Sequence, residues 1–220
     1  MSRERIAHHQ SHQHHSTRLI SRCTKDKKVK TISLAPNLSH SAFAQLASEK
    51  QIEKTVQALQ AHGIRVVVFD TSEEARKYVL DLIPDGAEVY HSPSRTLEVL
   101  GLAEQIEHSN HFQSVRARLH ALDRVTQHNE MRKLVAAPDV LVGSVHAITE
   151  QGEILIASAT GSQLGSAASG AGMAIWVVGT QKLVRTLEDG FRRIREYCLP
   201  SRSANALSRH TVRPAPSINC

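Results

Sequence analysis

Cysteine is scarce. Cys23, Cys198 and Cys220 stand far apart with no Cys-x-x-Cys pair, so neither a tetrahedral zinc site nor an iron–sulfur cluster finds its ligands in this chain. An odd thiol count with no secretory h-region points to a reducing compartment, and a cytoplasmic location is expected. Aromatic residues make up only 4%. Any core must therefore be built from Val, Ile, Leu and Ala, which suits a parallel sheet covered by helices. No apolar run approaches the roughly 18 residues that a membrane span takes, so no membrane partner is expected. At 220 residues the chain suits one domain with tails, large enough to bury a core without staples.

The folded part also lacks a charge excess. Eight of the 27 Lys/Arg and two of the 21 Asp/Glu lie in residues 1–40, leaving 19 of each sign over residues 41–220. The formal charge of +6 thus belongs to the first 40 residues. A nucleic-acid reader concentrates basic residues on its folded surface, so nucleic acid is not expected as a partner.

Residues 1–40 read as a disordered, basic, His-rich tail. The run from His8 to His15 holds five histidines but no carboxylate or Cys at ligand spacing, so a solvated tail is preferred to a metal site. The alternative is an organelle transit peptide, since the segment is basic, poor in acids and contains Ser and Thr.

From about Ser39 onward, strands alternate with helices. Phe43, Leu46, Ile52, Val56 and Leu59 recur at helical spacing, with Gly63 as the stop. The β-branched run 64–69 predicts a buried strand. Thr71 or Ser72 caps a helix that ends before Pro84. Residues 87–91 predict a second strand, followed by a polar turn opening a short helix through Leu97 and Leu100. One long helix is expected over 114–135, its charged face (Arg116, Arg118, Arg124, Glu130, Arg132) read as solvated. Residues 140–143, 153–157 and 174–179 predict three more strands, and 187–197 a final helix. The short link 144–152 makes the pair 140–143 and 153–157 antiparallel or offset. The sum is an α/β fold with a mostly parallel sheet.

Ligands in such sheets bind where strands end in small polar loops. The stretch 158–165, Ser-Ala-Thr-Gly-Ser-Gln-Leu-Gly, offers backbone N–H groups to an anion, while matching neither the P-loop nor the dinucleotide fingerprint. A plain turn is the alternative. Glu150, beside Thr149 and Gly152, is the candidate catalytic carboxylate, as base, nucleophile or acceptor; a hairpin acid facing water is the alternative. His91 and His146 stand at strand ends, where acid–base or structural roles are both open. Lys182 also follows a strand and suits an anionic ligand, or else a solvated helix start.

Four blocks carry a resemblance. Ser94-Arg95-Thr96-Leu97, Asp139 to Gly143 with Ala147-Ile148-Thr149-Glu150-Gln151-Gly152, the stretch 157–164, and Val177 to Val184 followed by Thr186-Leu187-Glu188-Asp189 resemble the lactate-utilisation (LUD) domain family, in its order and spacing, over about residues 42–200. Within that family the blocks are similar to the lactate utilisation protein C type. The resemblance implies the three-layer α/β/α sandwich of the sugar-phosphate isomerase and CoA-transferase superfamily. It also implies a pocket around 147–165, with Glu150 as catalytic group. The implied ligand-binding residues are Ser94, Thr96, His146, Thr149, Ser158, Thr160, Gly161, Ser162, Gln163 and Lys182. Relatives continue past the last helix with further strands. Residues 201–220 carry neither a strand pattern nor the resemblance and are expected to be a divergent disordered tail, which leaves a sheet edge without its closing strands.

The function implied is an accessory role in oxidising L-lactate to pyruvate, binding a small anionic metabolite. Iron–sulfur redox subunits are the implied partners, and no cofactor or metal is assigned to this chain itself. Two rivals remain at this stage: a stand-alone transferase or isomerase acting on a CoA ester or sugar phosphate through Glu150, and a non-catalytic interaction domain.

Overall fold

The computed structural model describes residues 42–200, together with the backbone of one strand at Arg18–Ile20. Residues 1–17, 21–41 and 201–220 lie outside the described residues, and with them most of the expected N-terminal tail and all of the expected C-terminal one.

Among the described residues nine strands form two sheets. They are β1 (Arg18–Ile20), β2 (Arg65–Val67), β3 (Glu88–His91), β4 (Gln113–Ser114), β5 (Val140–Gly143), β6 (Ala147–Thr149), β7 (Ile154–Leu155), β8 (Met173–Val177) and β9 (Leu183–Val184). The larger sheet has the order β2-β1-β8-β5-β3-β4, and every neighbouring pair in it is parallel. The smaller sheet, β7-β6-β9, has one antiparallel and one parallel pair.

Among the described residues six α-helices pack on the larger sheet, α1 (Glu49–Ala61), α2 (Ser72–Leu82), α3 (Arg95–Val99), α4 (Leu102–Glu107), α5 (Val115–Ala121) and α6 (His128–Ala136), while α7 (Leu187–Arg193) packs on the smaller sheet. Side-chain alternation along the strands sorts them into layers. Val89, Val140, Val142, Ile175 and Val177 meet α2, α3 and α4 through Ala75, Val79, Leu97, Leu102 and Ile106. The intervening Tyr90, Leu141, Trp176 and Val178 meet α1, α5 and α6 through Leu59, Val115 and Val135. Both faces of the sheet are buried, as an α/β/α sandwich requires.

Local chemistry sets the helix ends. Thr71, not Ser72, caps α2: its hydroxyl accepts from the Glu74 N–H while the Glu74 carboxylate accepts from the Thr71 N–H, a reciprocal capping box. The expected long helix over 114–135 is broken. Leu122 turns extended, and Asp123 Oδ1 accepts from the N–H groups of Val125 and Thr126 at 3.0 and 2.7 Å. A side chain that competes so well for backbone donors ends one helix and sets the entry to the next.

Two pairings differ from the sequence reading. The segment 153–157 does not pair with β5; its β7 core pairs antiparallel with β6, a strand inside what reads as loop. At Arg18–Ile20 the expected tail contains a strand. It lies between β8 and β2 and joins β2 to the rest of the sheet, because the exposed ladder of β8 needs a partner for its backbone groups.

Candidate functional site

The C-terminal ends of β3, β5 and β8 lie side by side. Past these ends come three short connections that the sequence fills with small polar residues. After β3, Ser94 caps α3 and accepts from the Thr96 N–H at 3.2 Å. After β5 comes Ser144. After β8, a single tight turn, Thr180–Lys182, holds the Lys182 N–H to the Gly179 carbonyl at 3.0 Å.

Lys182 ties the three together. Its Nζ donates to Thr96 Oγ1 at 2.8 Å and to Ser144 Oγ at 2.8 Å. Burial, reinforced by the nearby Arg193 guanidinium, lowers its pKa from 10.5 to about 8. Gly143 allows the strand ends to approach: a Cβ there would meet the Trp176 ring at 2.7 Å and Ser92 Oγ at 3.0 Å.

Arg193 is the second cation. It is 3% exposed and donates to the His146 carbonyl and, at 3.1 Å, to Cys198 Sγ. Its guanidinium stacks 5.1 Å from the Tyr197 ring. Its Nε has no partner among the described residues. Burial lowers its pKa, and burial also raises that of the Cys198 thiol, which is therefore neutral near pH 7. Neither Lys182 nor Arg193 has a carboxylate partner among the described residues. Charge taken out of water is normally paired, so two neighbouring cations without an acid suit an anionic ligand.

A neighbouring polar cluster sits on the α4 side. His91, 3% exposed, bonds Glu107 Oε1 through Nε2 at 2.7 Å, and Arg116 Nε donates to the same oxygen at 3.1 Å. Burial lowers the His91 pKa, outweighing the pull of Glu107, so the ring is neutral near pH 7 and its Nε2–H donates.

The 158–165 loop is internally braced. Ser158 Oγ donates to Gln163 Oε1 at 2.9 Å and accepts from the Gly161 N–H at 2.9 Å. Gly161 takes a positive φ of 73°, which favours glycine. Tyr90, 4% exposed, lies beneath the loop with its pKa raised by burial and pulled down in part by Ser162. Between this loop and α6 opens a cleft of about 820 Å³, with Thr160, Gly161 and Ser162 on one wall and His128, Arg132 and Lys133 on the other.

Of the residues expected to form one site, then, Ser94, Thr96 and Lys182 come together, and Thr160, Gly161 and Ser162 line the separate cleft. Ser158 and Gln163 shape the loop from inside. His146 Nδ1 accepts from the Ala157 N–H at 3.2 Å, and Thr149, fully buried, bonds the backbone and carboxylate of Glu153; both fix turns of the smaller sheet. Glu150 follows β6, with its side chain 16% exposed and its Oε2 2.8 Å from Nζ of Lys54. Much of 147–157 is thus the smaller sheet. Ser144 and Arg193 are not among the residues the sequence singles out as a site, and the basic face of α6, with Arg132 on it, reads there as solvated. The only sequence signals for that face are the i, i+4 pairs His128–Arg132 and Asn129–Lys133, which read equally well as solvated surface.

A family model described as the LUD domain matches residues 52–212. No curated protein and no solved structure matches the chain.

Proposed function

The chain belongs to the LUD domain family, and from that premise we propose that it binds a small carboxylate metabolite of lactate oxidation at Lys182. The supporting observation is the Lys182 ammonium held by the Thr96 and Ser144 hydroxyls beside the Arg193 guanidinium, with no acid to balance them. A bound carboxylate supplies the missing charge. It restores the pairing that the half-buried Lys182 and the buried Arg193 lack, and it accepts charge-assisted hydrogen bonds from Nζ. The hydroxyls of Thr96 and Ser144, already accepting from Nζ, remain able to donate to a ligand oxygen.

The role proposed is that of an accessory subunit of the lactate utilisation protein C type, cytoplasmic, in the conversion of L-lactate to pyruvate. That oxidation releases two electrons and two protons. With three cysteines in the whole chain, the electrons are assigned to iron–sulfur redox subunits as partners, and this chain holds the acid. Among the described residues no helix is long and apolar enough to cross a membrane.

Calorimetric titration of the purified full chain with L-lactate, pyruvate and lactamide tests the reading. The two acids are expected to bind saturably and the uncharged amide not to bind. Equal binding of lactamide, or no binding by either acid, overturns it.

A further inference from the structure

The cleft beside α6 uses none of the Lys182 machinery. Its helical wall presents His128, Arg132 and Lys133 on one face, four and one residues apart. All three are exposed, and their side chains make no hydrogen bond or ion pair among the described residues. Glu130, the acid of the same helix, instead accepts from Gln127 and does not line the cleft. The facing wall is Thr160, Gly161 and Ser162, which supplies hydroxyls and a glycine whose absent side chain lets a ligand approach the backbone. Val135 and Ala136 add an apolar stretch.

Size and charge narrow the ligand. At about 820 Å³ the cleft falls within the roughly 300–1,000 Å³ of organic-ligand pockets and far exceeds what a three-carbon acid fills. Two basic side chains and a histidine facing hydroxyls suit a multiply charged oxyanion, since arginine forks onto phosphate and lysine adds a point charge. The apolar stretch provides for an organic body.

We propose that this cleft is a second site, binding an organic phosphoanhydride, a nucleoside diphosphate or a coenzyme A-like ligand, with the phosphates between Arg132, Lys133 and the Thr160–Ser162 hydroxyls. The site is independent of the Lys182 reading. The two share no side chain, so either fails without the other.

The experiment titrates the full chain with ADP, with coenzyme A and with inorganic pyrophosphate, at low and high salt. At least one organic ligand is expected to bind saturably, more tightly than pyrophosphate and more weakly as salt rises. In the variant Arg132→Gln/Lys133→Gln, melting like the wild type, that affinity is expected to fall by about tenfold or more, with the response to pyruvate unchanged. Should that variant not fold, Thr160→Asp on the opposite wall is expected to give the same loss. The three probes failing to bind, the variants binding as tightly as the wild type, or pyrophosphate matching both organic ligands would each overturn the proposal.

Discussion

Lys182 Nζ lies 2.8 Å from Ser144 Oγ across a separation of 38 residues, and that contact joins the ends of two neighbouring parallel strands, β5 and β8. The ammonium there is desolvated and has a guanidinium, not a carboxylate, for its charged neighbour. Such a group lowers stability in the empty protein and gains when an anion arrives, which makes it a site residue more than a scaffold residue.

The pH dependence of binding follows from the Lys182 pKa of about 8 in the free protein. A bound carboxylate favours the protonated form and raises that value. Affinity for pyruvate is therefore expected to be flat below pH 8. Above it, affinity should fall by up to about tenfold per unit until the pKa of the complex is reached. Calorimetry between pH 6 and pH 10 checks this; affinity that rises above pH 8 would be inconsistent with it.

Stability has the opposite sign in the empty protein. The folded pKa of about 8 lies below the ordinary 10.5, so between these values the unfolded chain binds the proton and the folded one does not. Stability contributed by this group rises with pH across that window. Lys182→Met is expected to stabilise the empty protein at neutral pH by on the order of 1–3 kcal/mol and to lose this rise. Urea titrations at pH 7 and pH 10 compare the two.

Gly143→Ala is expected to destabilise. The added Cβ would sit 2.7 Å from the Trp176 ring and 3.0 Å from Ser92 Oγ, at the packed C-terminal end of β5. Overpacking of this kind costs about 1–3 kcal/mol, read as a lower urea midpoint at constant slope. Because the same shift moves Ser144, pyruvate binding should weaken as well.

Glu150→Gln is expected to have little effect. Glu150 pairs with a Lys54 side chain that is 56% exposed, and such pairs contribute roughly 0–1 kcal/mol. Pyruvate affinity should stay within about twofold of the wild type. A large loss would move the site to the smaller sheet and away from Lys182.

The sheet is readable in the sequence wherever a strand is a β-branched run bounded by turn residues, as at Val140–Gly143 and 64–69. Arg18–Ile20 escapes because three residues among Ser, Thr and Arg carry no period, and only the open ladder of β8 gives them a place. Ala147–Thr149 and Leu183–Val184 escape for the same reason: each is too short to show alternation. The break near Asp123 is hidden because apolar spacing continues through it, while the deciding force is a local side-chain bond to two N–H groups. At the site, Thr96 and Lys182 are visible as polar residues just past strands. Ser144 and Arg193 are not, since their role depends on contacts made only after the strand ends meet. The basic face of α6 is visible as charge, but its facing loop lies about 30 residues further along the chain, so the cleft itself is a tertiary fact.

The most direct test is calorimetric titration of pyruvate into the full chain at pH 7, with wild type, Lys182→Arg and Lys182→Met side by side, each first shown to melt cooperatively. Saturable binding by the wild type, weaker binding by Lys182→Arg and none by Lys182→Met, which melts no lower than wild type, is the predicted result. Undiminished binding by Lys182→Met would contradict the account.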